Sequence, residues 1–514
     1  MVHSRIMAKE QEIASAERLA AEGGIASDEN TVAELEIEAN EGPVEEHVNE
    51  PDESAAAEGG SGEICCPIMM GYFDAHRCGR KLHVAPDGVD ITPVCLMHSK
   101  DPCKQSGPLF DSFLQEFEEI LQSAGDGKAR FDQFVFPLLD FSGRKFQAIC
   151  WFAKAIFTQD ASFAKATFAK DANFHLATFV QNASFNDATL TQNADFFCAS
   201  FIRNAYFSGA TFKQTARFVD TKFHGTAYWQ GSRFLDQAEF RRTKFHPQVE
   251  GEPSAVFALA KFSKPGEIVF DDVDLRHALF HNSDVSQVWF TASVRWGKRK
   301  DNRGLVVIDE TIFLKPYLDE ELQRDGQLDH RAVAQIYQQL KKNYDSRLDY
   351  WTANEFHFGE MEMKRLAVPA AGRLLWLRQW WHPRLSFVAL YRWASDYGNS
   401  YGKPLLWLLA ILLAATLMFP ITGLELKQAI SASSASVTYS SVWNRQDSWT
   451  NNFWAEAKLI GKSGITAIDT ATFQRTPEYT PVYPRGRVVA IVETLLTSSL
   501  FALFLLAIRR QFRR

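Results

Sequence analysis

The first sixty residues contain no aromatic side chain. They carry sixteen Asp/Glu against three Lys/Arg. A stretch this acidic and this poor in large apolar groups cannot offset the entropy of ordering, so residues 1–60 are expected to form a disordered acidic tail. The first thirty residues also lack a continuous apolar core. That excludes a secretory leader there and predicts that the body stays on the side where it is made. Cysteine is scarce, 7 in 514 residues, and odd in number. Cys65, Cys66, Cys78, Cys95 and Cys103 crowd into one short stretch, while Cys150 and Cys198 stand apart. This pattern fits a reducing compartment and metal ligation better than a disulfide framework. No nucleophile–base pair, phosphate loop or paired-carboxylate site stands out, so the chain is not read as an enzyme.

What is abundant is phenylalanine, and it is spaced. Between Phe141 and Phe245 a large apolar residue returns after five positions, then six, then five again. One series runs Phe141, Phe152, Phe163, Phe174, Phe185, Phe196, Phe207, Phe218, Trp229, Phe240. The other runs Phe146, Phe157, Phe168, Phe179, Leu190, Phe201, Phe212, Phe223, Phe234, Phe245. A small residue sits two positions before nearly every one, as in Ala161, Ala166, Ala172 and Ala177; Leu139 and Arg144 are the exceptions. On a helix these groups would point to all sides, and the residues between them are poor helix formers. Short extended faces with large and small residues turned inward satisfy the pattern, each coil stacking on the next.

Segments such as "ASFAKATFAKDANFHLATF" and "NAYFSGATFKQTARF" resemble the pentapeptide-repeat family. The resemblance implies a quadrilateral right-handed β-helix, here over residues 126–295. Further copies are centred on Phe270, Leu275, Phe280, Val285 and Phe290. At four faces per coil the twenty units of the main run give about five coils, on the order of 25 Å. Some members of the family are acidic and imitate DNA. Residues 141–247 instead carry thirteen Lys/Arg and seven Asp/Glu, so DNA mimicry is discounted and no specific nucleic acid is expected as a partner.

Residues 61–125 read as a Cys-rich lobe. Cys95 and His98 have the C-x-x-H spacing that lets one turn present two ligands to a tetrahedral ion. Cys66 and Cys78 would complete a Cys3His zinc site, with Cys65, His76, His83 and Cys103 in reserve. Eleven residues lie between Cys66 and Cys78, more than the two to four typical of a zinc finger. The competing reading is a set of reduced thiols packed in a small lobe.

Residues 296–400 read as a connector. Val333, Ile336, Tyr337 and Leu340 lie at helical spacing, and a second helix is expected around residues 353–366. His357, Glu360 and Glu362 are read as surface charges on an amphipathic helix, not as a site. "RLLWLRQWWHPRLSFVALYRWASDYGNSYGK" interleaves Arg and Trp as a membrane–water boundary does. Residues 401–514 read as a transmembrane hairpin with spans at about 404–421 and 488–508. Positive residues precede the first span and "RRQFRR" follows the second, predicting cytoplasmic termini and an outside loop of roughly 65 residues.

Glu493, with Thr494, Thr497 and Ser498, forms a polar stripe inside the second span. Either it lines a pore or it makes interhelical hydrogen bonds in a homo-oligomer. Over the last 180 residues, "YQQLKKNYDSRLDYWTANEFHFGEMEMKRL", "LYRWASDYGNSYGKPLLWLL" and the terminal "LFALFLLAIRRQFRR" resemble bacterial pentapeptide-repeat membrane proteins with a channel-like pair of helices, which implies a tetrameric pore with a re-entrant loop. No Thr-Val-Gly-Tyr-Gly filter is present, so potassium selectivity has no basis here. Two functions are expected from these features. The first is a scaffold of the bacterial inner membrane that displays its solenoid to a cytoplasmic protein; the second is a channel-like oligomeric pore regulated or assembled by it.

Overall fold

The computed structural model describes residues 65–70, 76–86, 89–246, 251–299, 303–311, 330–367, 384–426, 438–439, 449–472, 479–481 and 484–512. The acidic tail 1–60 and the "RLLWLRQWWHP" portion of the boundary segment fall outside them.

From Lys128 to Phe290 the chain winds into a parallel β-solenoid of about seven turns, with four faces of six, six, seven and eight strands. The register is twenty-two residues in the main run: Phe163 follows Phe141, and Ala183 follows Ala161. Two steps of five plus six residues therefore make one coil. Each large side chain lands beneath its equivalent. Phe157, Phe179 and Phe201 stack at 4.7 and 4.6 Å between ring centroids, nearly parallel. All twenty predicted inward positions are buried, as are Phe270, Leu275, Phe280, Val285 and Phe290. Each buried Phe contributes roughly 1.5–3 kcal/mol by transfer from water, and each ring pair about 0.5–1.5 kcal/mol more.

The alternation of five and six has a local cause, since the solenoid has two kinds of corner. In the short corner the amide of Ala166 donates to the carbonyl of Phe163 at 3.0 Å, closing a turn whose third residue, Lys165, has φ 58°. The same turn recurs at Lys154, Leu176, Asp187, Cys198, Gly209, Asp220 and Gly231, all at positive φ. The long corner carries the extra residue, and side chains bridge it between coils. Asp160 Oδ1 accepts from the Asn182 amide, and Asp171 Oδ1 from that of Asn193, both at 3.0 Å.

Both ends of the rod are covered, which removes the exposed strand edges that invite aggregation. At the first coil, helix α1 (Pro108–Ala124) places Phe117 over Phe131 at 4.6 Å and Phe113 against Phe136 at 5.6 Å. Arg144, one of the two exceptions to the small-residue rule, makes a two-pronged pair with Glu118 of α1. At the last coil stand helices α2 (His330–Ser346) and α3 (Tyr350–Leu366). Asn343 Nδ2 donates to the carbonyls of Val285 and Val288 at 2.7 Å, and Arg347 Nη1 to that of Phe290 at 2.8 Å. The predicted helical hairpin thus seats on the solenoid itself.

Beyond it lie α4 (Phe387–Ser395), α5 (Gly402–Thr422), α6 (Trp449–Ala471) and α7 (Pro484–Phe512). α5 and the 484–509 part of α7 are long and apolar enough to cross a membrane by length and composition. α6 falls in the segment between the two expected spans, which charge places outside and the channel-like resemblance makes a re-entrant loop. It packs against both α5 and α7: Thr494 Oγ1 of α7 reaches the Thr470 carbonyl at 3.4 Å, and Ala467 shares a buried cluster with Ala415 and Phe419 of α5.

Candidate functional site

The four predicted ligands converge. Cys66 and Cys78 lie on facing arms of a short antiparallel hairpin, where the Cys66 amide donates to the Arg80 carbonyl and the Cys78 amide to that of Ile68, both at 2.8 Å. The eleven intervening residues therefore become a register that sets two thiols side by side. The knuckle supplies the other two, its turn closed by the His98 amide on the Cys95 carbonyl at 3.1 Å. The ligand atoms of Cys66, Cys78, Cys95 and His98 all lie within 4.8 Å of one another. Cys78 Sγ is 3.8 Å from Cys95 Sγ, and His98 Nδ1 is 3.6 and 3.1 Å from the sulfurs of Cys66 and Cys95. Such a group could hold a metal ion. Cys66, Cys95 and His98 are buried, which suits a structural site more than an open one.

The reserve residues lie elsewhere. Cys65 and Cys103 are exposed, and His83 is hydrogen-bonded to Asp101 at 2.7 Å. The His76 side chain is outside the described residues.

Partners that the motif did not reveal complete the site. His98 Nε2 donates to the Asp132 carbonyl at 3.1 Å, which leaves Nδ1 facing the sulfurs. Arg80 Nη1 donates to Cys78 Sγ at 3.2 Å. The hydrogen bond from Cys95, joined by those of His98 and Arg80 against the opposing effect of burial, brings the Cys78 thiol down to about 3. The same bond and burial push Cys95 up. Lys104 is buried beneath the knuckle and donates to the carbonyls of Leu96 and Ser99; burial lowers its ammonium to about 7. A basic residue two positions after Cys78 was the one sequence signal for this shell.

Glu493, Thr494, Thr497 and Ser498 lie on α7, which begins at Pro484 and not near residue 488. Glu493 and Thr497 are buried, while Thr494 and Ser498 are half-buried. The three hydroxyls donate to carbonyls of their own helix.

His357, Glu360 and Glu362, read from sequence as surface charges, are buried instead. The cause is that α3 is covered on more than one side. Glu360 meets Lys341 of α2 at 3.2 Å and Lys364 at 2.5 Å. Glu362 meets Arg392 of α4 at 3.0 Å and accepts from the Tyr397 hydroxyl at 2.9 Å. Against burial, which works to raise it, His357, Lys364 and Lys341 hold the Glu360 carboxyl well below the usual range. These residues clamp helices together.

Residues 152–200 and 207–250 match the family model of pentapeptide repeats, in nine copies. No curated protein and no solved structure matches the chain.

Proposed function

We propose, for a chain whose repeat segment is a pentapeptide-repeat domain, that it is a membrane-anchored interaction module of the bacterial inner membrane. In this proposal α5 and α7 cross the bilayer with both termini in the cytoplasm, and the solenoid presents its outward faces to a cytoplasmic protein. One observation carries it. Among the described residues, the chain's own helices close both ends of the solenoid while side positions such as Thr189 and Thr211 stay partly exposed, and α5 and α7 turn Leu406, Leu409, Leu413, Ile421, Val488, Ile491 and Leu495 outward. A rod whose inside is filled with Phe has only its sides to offer, and such faces mediate interaction in repeat proteins. α4 supports the anchor with exposed Phe387, Leu390 and Trp393 at helical spacing, the composition of a boundary helix. Photo-crosslinking from outward solenoid positions Thr189 and Thr211 in intact cells tests it. A single adduct shared by both positions supports a display surface, and the absence of any adduct around the rod counts against one.

We propose zinc as the ion of the Cys3His group. Metal–sulfur bonds near 2.3 Å and metal–nitrogen bonds near 2.0 Å in a tetrahedron imply about 3.8 Å between sulfurs and about 3.6 Å from sulfur to nitrogen. Cys78–Cys95 at 3.8 Å and Cys66–His98 at 3.6 Å match, Cys95–His98 at 3.1 Å is shorter, and all four ligand atoms lie within 4.8 Å of one another. Zinc there would fasten the lobe to the solenoid, since His98 bridges from the site to Asp132.

A second reading, a channel-like homo-oligomeric pore, is favoured by the polar interior of the membrane helices. Ser463 and Thr466 of α6 and Glu493 and Thr497 of α7 are buried. Ion flux through proteoliposomes containing the full chain separates the two readings, because an anchor conducts nothing.

A further inference from the structure

Glu493 is 2% exposed, and neither of its carboxylate oxygens has a hydrogen-bond partner. Within α5 and α7 the basic residues are at the ends: Lys403 in one, and Arg485, Arg487, Arg509 and Arg510 in the other. Arg487, the nearest on its own helix, is six positions away, a rise of roughly 9 Å. Nothing on these two helices is placed to neutralise the carboxylate.

The third helix adds to the excess of negative potential. Gly486, early in α7, faces Thr422 at the end of α5. About 12 Å further along α7, at Thr494, the helix meets the Thr470 carbonyl. Thr470 is in the last turn of α6. The C-terminal end of α6, with the negative pole of its dipole, therefore lies beside the residue next to Glu493.

The neighbouring hydroxyls sharpen the chemistry. Thr494 donates to the Ala490 carbonyl, Thr497 to that of Glu493, Ser463 to that of Leu459 and Thr466 to that of Lys462. Each has used its one proton on its own helix and offers only lone pairs. An interior lined by acceptors repels another acceptor and suits a hard cation. One carboxylate balances a single positive charge, and divalent ions ask for more carboxylates or for retained waters.

We infer that Glu493, together with the C-terminal end of α6, forms a binding site for a monovalent alkali cation. The inference rests on these helices being a membrane bundle, and it holds whether or not the bundle conducts. The test is thermal unfolding of the purified full chain in detergent, in sodium or potassium chloride against N-methylglucamine chloride at matched ionic strength and pH. The site predicts a higher midpoint in an alkali salt, because a ligand bound only by the folded state stabilises it. It also predicts loss of that difference in Glu493→Gln and its retention in Glu493→Asp. Equal midpoints in all three salts would mean that the carboxyl holds only a proton and would overturn the site. So would an alkali response undiminished in Glu493→Gln. Flux into proteoliposomes is scored separately: an alkali-dependent midpoint without flux keeps the site and removes the pore, and flux without an alkali response does the reverse.

Discussion

His98 Nε2 donates to the carbonyl of Asp132 at 3.1 Å, so the ring that offers Nδ1 to three cysteines is steered by the first coil of the solenoid. The knuckle is bound to that coil a second time, by the Val135 amide on the Met97 carbonyl at 2.8 Å. Ligand geometry and solenoid start are thus one structure, and disturbing either disturbs both.

Zinc content is the first consequence. The purified full chain is expected to hold one equivalent of zinc by elemental analysis, and Cys95→Ser is expected to lose it. Chelation is expected to lower the unfolding temperature, since metal binding is coupled to folding. A metal-free chain whose thiols all react freely would remove the site.

The Phe ladders set a second. Phe185 stacks on Phe163 at 4.9 Å and Phe207 at 5.1 Å. Phe185→Ala is expected to cost about 3–5 kcal/mol through lost transfer energy and a cavity. Phe185→Leu should cost about 1 kcal/mol, because volume is largely kept. Leu190 already occupies a Phe position between Phe168 and Phe212. Denaturant midpoints of the two variants check this, and equal midpoints would contradict it.

Two backbone positions predict opposite signs. A Cβ on Gly225 would lie 2.4 Å from the carbonyl carbon of Arg203 in the coil before, so Gly225→Ala must push coils apart and destabilise. Leu176 sits at φ 56°, where a side chain is strained by roughly 1 kcal/mol. Leu176→Gly is expected to leave the melting temperature unchanged or to raise it. A fall as large as that of Gly225→Ala would contradict the corner geometry.

Asp309 gives a pH dependence. It is fully buried against the last coils, where both its oxygens accept from the Phe280 amide at 3.1 Å, and burial raises its carboxyl to about 7. The folded value is above the unfolded one, so its contribution is complete below about pH 4 and is lost as pH rises toward and through 7. Asp309→Asn keeps the acceptor and cannot ionise. The melting-temperature difference between this variant and the parent is expected to grow in the variant's favour from pH 5 to 8. A difference that stays flat with pH would contradict the assignment.

The repeat was legible because each coil repeats one local rule: a large residue inward, a small one two positions before, and polar residues outward. Phe163 and Ala161 show this without knowledge of the rest of the chain. The metal group was legible for a related reason, since Cys95 and His98 share one turn. Cys66 and Cys78 depended on a hairpin that their spacing alone does not specify. The failures are all long-range. Nothing local in "NEFHFGEMEMK" tells that α2 and α4 bury Glu360 and Glu362 or that Tyr397 reaches them. The helix α6 was hidden likewise: Lys458, Lys462 and Asp469 suit the outside loop that the charge pattern predicts, while Ser463, Thr466 and Ala467 are the residues buried in the packing on α5 and α7.

The most direct measurement is alkaline carbonate extraction of membranes from cells producing the full chain. A Phe-filled solenoid held to the bilayer by α5 and α7 predicts that the protein stays in the pellet and is released only by detergent. Recovery of the full-length chain in the carbonate-soluble fraction would contradict it.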